Sequence, residues 1–157
     1  MKITIIFFCA LVITSILAGC DLLGGQEDDL ELAGVVWQLD VFERAGYQTT
    51  EIGSEDLYVI LVADTVKGMA RYADSGGRGN IFSGSYSIGP ADSLSIGPLF
   101  TTLMFTPGSR YFEFRRALRA AIRFEINGER LRIFCEGFVL KFKPSSEYKW
   151  EDIPFAE

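Results

Sequence analysis

Between residues 32 and 143 the apolar side chains recur mostly at a period of two, in short runs separated by turn residues. That pattern admits strands with one buried face and leaves little room for long helices. Trp37, Leu39 and Val41 alternate with Gln38 and Asp40 as a half-buried strand. Residues 57–63 form a continuous apolar run, the mark of a strand buried on both faces, and 66–72 pairs with it through a turn at Ala63-Asp64-Thr65. Residues 81–88 and 94–96 are further strands, separated by Gly89-Pro90-Ala91-Asp92. Asn127-Gly128 is a tight-turn signal between Phe124-Glu125-Ile126 and Leu131-Arg132-Ile133. Phe138, Leu140 and Phe142 alternate with Val139, Lys141 and Lys143 as a last strand. One segment departs from the rule. Tyr111, Phe114, Leu118, Ala121 and Ile122 fall on one helical face, with Thr106 and Pro107 placed as N-cap and first helical residue. Seven or eight strands and one late helix predict a mainly β (α+β) fold. Its form is a small antiparallel β-barrel or a strongly bent sheet, plugged or covered by the helix.

The amino terminus has a different character. Residues 3–18 hold 13 apolar side chains out of 16, after Lys2 and without a carboxylate. Sixteen residues fall short of the roughly 20 needed to span a hydrocarbon core. The order of basic, apolar and small residues is that of an export signal. Leu17-Ala18-Gly19-Cys20 resembles the bacterial lipobox, cut between Gly19 and Cys20. The resemblance implies that Cys20 carries a diacyl group on sulfur and an acyl chain, palmitate for example, on its new amino group. Two or more chains anchor a protein stably in a membrane. The competing readings are an uncleaved transmembrane anchor, or an ordinary signal beside an incidental cysteine. Cleavage would leave 138 residues with a formal charge of −7, Lys2 having been lost from a chain of net charge −6. Asp21 resembles the signal that keeps lipoproteins in the inner membrane of enteric bacteria, a rule other bacteria do not all follow, so either envelope membrane fits.

Four segments follow: a signal peptide at 1–19, an acidic tether at 20–31, a domain at 32–143 and a polar tail at 144–157. The tether stretch Asp21 to Glu31 carries five carboxylates and no Lys or Arg, too charged to join a core. The tail contains Trp150 and Phe155.

The order of motifs in the domain resembles the META domain family, which includes the HslJ-type envelope lipoproteins. The opening matches at Leu32-x-Gly34-x-x-Trp37-x-Leu39, and the middle at Asn80-x-Phe82-x-Gly84-x-Tyr86. Leu94-x-Ile96-x-Pro98-Leu99 and Thr101-Thr102-Leu103-Met104 follow, and then the helix, the Asn127-Gly128 hairpin and Leu131-x-Ile133. The resemblance covers roughly residues 30–143. It implies a small antiparallel barrel with a helix, and roles linked to heat shock, antibiotic tolerance or secretion, none of which supplies a catalytic residue. Two cysteines common in the family are replaced here, by Gly79 before Asn80 and by Phe105 after Met104. No thiol function therefore carries over.

Composition removes most enzyme chemistry. The chain has no histidine, which excludes His-based triads, His general bases and His-containing zinc sites. Its three cysteines cannot fill a four-thiolate site. A pI near 4.7 argues against nucleic acid as partner, and nothing calls for a cofactor. Cys135 shares a face with Leu131 and Ile133 and reads as a buried small hydrophobe rather than a reactive thiol. Gly79 and Gly84 have phosphate-loop spacing, but Ser85 stands where the lysine belongs and the flanks are strand-like, so a hairpin loop is the better reading. Ser146-x-x-Lys149 matches a penicillin-binding pattern by chance, its partner motifs being absent. No pair of carboxylates stands out for glycoside hydrolysis.

The informative charge lies between 110 and 132, where seven arginines face three glutamates for a net +4. Arg115, Arg116, Arg119 and Arg123 are the proposed interaction face, for anionic lipid headgroups or an acidic protein. The alternative is a solvated helix face paired with the chain's own acids. Eleven phenylalanines follow Cys20, enough to fill a closed barrel or to line a cavity for an acyl chain. The expected protein is thus a non-enzymatic, membrane-tethered envelope lipoprotein acting by binding or by supporting envelope integrity. The alternative is a lipocalin-like carrier of an apolar ligand within the barrel.

Overall fold

The computed structural model describes residues 31–44, 50–51, 55–73, 79–104, 109–149 and 151. Gly19, Cys20, Thr106, Pro107, Trp150 and Phe155 lie outside the described residues. Eight strands close an antiparallel barrel: β1 (Trp37–Arg44), β3 (Glu55–Val62), β4 (Thr65–Tyr72), β5 (Ile81–Gly89), β6 (Ser93–Thr101), β7 (Ala121–Asn127), β8 (Arg130–Cys135) and β9 (Phe138–Pro144). They neighbour one another in that order, and β9 returns to β1 through pairs from Trp37↔Pro144 to Arg44↔Phe138. A two-residue strand, β2 (Thr50–Glu51), pairs with β1 at Val41 and Phe42. The single helix of the described residues, α1 (Tyr111–Arg119), sits in the connection from β6 to β7.

The turns form where turn chemistry demands. Gly128 adopts φ +55° in the two-residue Gly128-Glu129 turn from β7 to β8, a conformation that costs glycine no Cβ clash. A short 3₁₀ turn over Pro90–Asp92 joins β5 to β6, as the Gly-Pro-Ala-Asp sequence predicts. The strands run longer than their alternating cores: β6 extends to Thr101 and β7 begins at Ala121.

The interior is one continuous apolar cluster. Trp37, Leu39, Phe42, Leu57, Val59, Leu61, Phe82, Leu131, Ile133, Leu140 and Phe142 reach it from the strands, and Tyr111, Phe114, Ala117 and Leu118 from the helix. Rings meet across it at edge-on or tilted angles, Phe82–Phe114 at 6.1 Å and Phe114–Phe142 at 6.4 Å between centroids. This spacing is favourable for aromatic pairs. β3 is buried on both faces, as its unbroken apolar run predicts. Tyr58 and Ile60 point outward and pack with Val36 and Met69 into a second cluster. The first residues of the tail cover that patch. The Ser145 N–H donates to the Val36 carbonyl at 2.7 Å, Tyr148 meets Tyr58 edge-on at 5.0 Å, and Arg71 pairs with Glu147 at 2.7 Å. Residues 145–148 are therefore a strap on the barrel wall. Ser146 lies in this non-helical strap, where it has no scaffold for a nucleophile.

Three expectations need correction. A bulge between Leu39 and Val41 reverses the inward phase of β1, so Phe42 enters the core and Val41 is left half-buried. The helix starts at Tyr111, with Arg110 in the N-cap position, rather than at Pro107. Ala121 and Ile122 belong to β7 and not to the helical face, and Ile122 is 57% exposed. Gly79 and Asn80 lead into β5, a strand and not a helix, which fits a hairpin loop and gives no phosphate cradle. A Cβ at Gly79 would come within 1.5 Å of the Ala70 carbonyl oxygen, so this backbone leaves no room for a side chain there.

Cys135 is buried on β8, and burial pushes its thiol up to about 12. Because only the thiolate is nucleophilic, Cys135 of the folded protein is expected to resist a soluble thiol reagent at pH 8 and to react on unfolding. The raised value also has a stability consequence. Below the ordinary value of 9.0 both states keep the proton, whereas above it the unfolded thiol ionises first. Stability is therefore expected to fall as pH rises from about 9 to about 12, by urea titration.

Candidate interaction face at the helical end of the barrel

The two ends of the barrel differ. At one end the chain enters: the Gly34 N–H donates to Leu61 near the end of β3, and Ala33 bridges the same residue. At the other end α1 closes the mouth beside Glu55, the first residue of β3. A buried polar latch holds the helix there. Glu55, 6% exposed, accepts from the Ser109 hydroxyl at 2.7 Å and from the Arg110 N–H, so a carboxylate meets the positive end of the helix. Ser109 also shares a hydrogen bond with the Tyr72 hydroxyl at 3.1 Å and accepts from the Tyr111 N–H at 3.1 Å. Buried Asn80 donates to Tyr72 at 3.1 Å and clasps Met104 through its carbonyl (3.0 Å) and its N–H (2.5 Å). The hydroxyls of Thr101 and Tyr111 share a hydrogen bond, and burial raises Tyr111 above the usual phenol range. These groups satisfy one another, which is a structural role.

The helix turns its apolar face inward, so Phe112, Arg115, Arg116 and Arg119 share the outward side, being three or four residues apart. Among the described residues no carboxylate lies within ion-pair distance of Arg115, Arg116, Arg119 or Arg132. Arg115 and Arg116 rest against the rings of Phe112 and Phe138, at 5.7 and 5.9 Å. Arg116 and Arg119 also stand in the last turn, where positive charge complements the helix dipole. The rest of the arginine stretch is engaged elsewhere. Arg110 pairs with Glu113 at 3.1 Å and stacks on Phe42 at 4.8 Å. Arg130 pairs with Asp40 at 2.7 Å. Arg123 lies 3.7 Å from the Phe134 ring centroid and pairs with Glu125 at 2.5 Å, so it sits on β7 with its charge already met.

Sequence reasoning overlooked the apolar side chains beside this face. Phe100 is 77% exposed, Leu103 76% and Phe112 45%. The Thr101–Tyr111 and Asn80–Met104 bonds hold residues 100–104 beside the first turn of the helix. Among the described residues no helix is long and apolar enough to cross a membrane.

No protein-family model matches the sequence, and no curated protein matches it. Among solved structures, the chain is similar to a protein from Burkholderia xenovorans determined by NMR, at 21% identity over 74% of this chain and 85% of that one, with a TM-score of 0.58. It is similar to a lipocalin-like protein from Bacteroides uniformis, at 20% identity over 73% and 98% of the two chains, with a TM-score of 0.52. A DUF4847 family protein from Bacteroides vulgatus matches at 15% identity over 79% and 100%, with a TM-score of 0.50. At such identities the likeness is one of fold alone, that of a small antiparallel β-barrel.

Proposed function

We propose that this protein is a lipid-anchored envelope lipoprotein of the META/HslJ-like type, acting by binding at the helical end of its barrel and supporting envelope integrity without catalysis. The observation that carries this reading is the contrast between inside and outside. The interior is occupied by aromatic and aliphatic side chains, while the outer face of α1 presents Arg115, Arg116 and Arg119 with no carboxylate among the described residues to neutralise them. The buried polar groups at the same end are used to hold the helix, which supports binding over chemistry. Anchoring is supported by the lipobox-like Leu17-Ala18-Gly19-Cys20 sequence behind an export-type apolar run.

A lipocalin-like carrier of an apolar ligand is the second reading, favoured by the lipocalin-like neighbour. The ring contacts through the interior weigh against it, because a ligand would have to displace Phe82, Phe114 or Phe142. Metabolic labelling with a palmitate analogue tests the anchor. The wild-type chain is expected to take up label and sediment with membranes, and a Cys20→Ser chain to do neither. An unlabelled wild-type chain would contradict the proposal.

A further inference from the structure

We infer that the helical end of the barrel docks on an anionic lipid bilayer, with Arg115, Arg116 and Arg119 at the headgroup phosphates and Phe100, Leu103 and Phe112 entering the acyl boundary. This rests on the binding reading above and names its occupant. Cationic side chains beside exposed aromatic and aliphatic ones, on a short amphipathic helix and its adjoining segment, are the chemistry of a membrane interface. An anionic bilayer offers phosphates and an apolar layer together across a broad surface, and this end offers both complements. The apolar groups are held in place rather than merely exposed. Asn80 fixes the Met104 backbone through both its amide groups, and the Thr101–Tyr111 bond ties the strand end to the helix.

Charge complementarity favours the same occupant. The chain as a whole carries −6, yet the outer face of α1 is positive. An anionic surface therefore attracts this end of an otherwise acidic chain, which steers its approach. Six residues of strand separate Glu55, under the helix, from Leu61, where the chain enters. At about 3.3 Å per residue this is about 20 Å. The helical face thus lies about a strand's length from the point where the described chain enters the barrel.

The full chain, anchored in neutral phosphatidylcholine vesicles, is mixed with fluorescent vesicles of either phosphatidylcholine or phosphatidylglycerol, and recruitment of the second population is measured. Only phosphatidylglycerol vesicles are expected to be recruited, and less so at high salt. Replacing Arg115, Arg116 and Arg119 together by Gln is expected to weaken recruitment about 100-fold, at about fivefold per arginine. Replacing all three by Lys should retain most of it. Phe112→Ser, on an exposed position, should reduce recruitment about tenfold while leaving salt dependence in place. Equal recruitment of neutral vesicles, or recruitment unaffected by the triple Gln change, would overturn the inference. Binding of soluble poly-L-glutamate without vesicle recruitment would also overturn it, assigning the face to an acidic protein. Failure to anchor in the first vesicles would instead remove the lipoprotein reading. Docking would then be read from direct flotation of wild-type and triple Gln chains with phosphatidylglycerol vesicles, where equal flotation overturns it.

Discussion

Replacing Trp37 by alanine is expected to cost the barrel about 3–5 kcal/mol, the range for removing a large buried aromatic side chain. Trp37 is fully buried where three strands converge, pairing with Val59 on β3 and Pro144 on β9. Its indole N–H donates to the Leu32 carbonyl at 3.1 Å, so the same ring ties down the segment that enters the barrel. The truncation leaves a cavity and an unsatisfied buried carbonyl at once. Such a loss is a large share of the roughly 5–15 kcal/mol that a domain has, and should lower the melting temperature by about 10–20 °C. Urea unfolding measures it directly. An unfolding free energy within 1 kcal/mol of wild type, on the order of a surface change, would show that the ring is not the keystone of this junction.

Glu55→Ala is expected to have the second largest effect, and a local one. Its carboxylate is buried and accepts from Ser109 and from the backbone at the start of α1. Losing a charged acceptor strands both donors, for a cost of about 2–4 kcal/mol. The signature is regional. Amide exchange in Tyr111–Arg119 should accelerate while the β3–β4 ladder, paired from Glu55↔Tyr72 to Val62↔Thr65, stays protected beyond its first rung. Glu55→Gln keeps an acceptor and should lose only part of this. Uniform acceleration over both elements would mean that Glu55 supports the whole barrel rather than latching the helix.

How much of this was legible in the sequence depends on the range of the interactions. Strands whose faces are set by their own alternation, such as Phe138, Leu140 and Phe142, could be placed residue by residue. So could the hairpin after Asn127, although its two turn residues are Gly128 and Glu129, with Asn127 paired to Arg130 at the end of β7. The phase of β1 was lost at the bulge after Leu39, because an extra residue has no signature in the pattern it interrupts. The helix pattern ran on to Ala121 and Ile122 because a helical face and the start of an adjoining strand can present apolar residues at the same spacing. The backbone leaves helical geometry at Ala120, where φ is −94° and ψ 20°.

The candidate face divides in the same way. Arg115, Arg116 and Arg119 could be grouped from helical spacing alone. Arg123 was grouped with them although Glu125, two residues on along the same strand face, neutralises it. The Glu55 latch reaches Ser109 across 54 positions, and one carboxylate among many gives no hint of that distance. Phe100 is one of eleven phenylalanines after Cys20, and nothing in its neighbours marks it as exposed. Only the register of β6, which turns Leu99 and Thr101 toward the interior, sends it outward.

On the proposed reading the protein works through the outside of its barrel and is held to a membrane by Cys20. Native mass spectrometry of the chain extracted gently from membranes tests it most directly. The expected mass is that of residues 20–157 with acyl chains on Cys20 and no further stoichiometric adduct. A second lipid retained at one per chain, lost on unfolding, would contradict the claim and make the interior a ligand site.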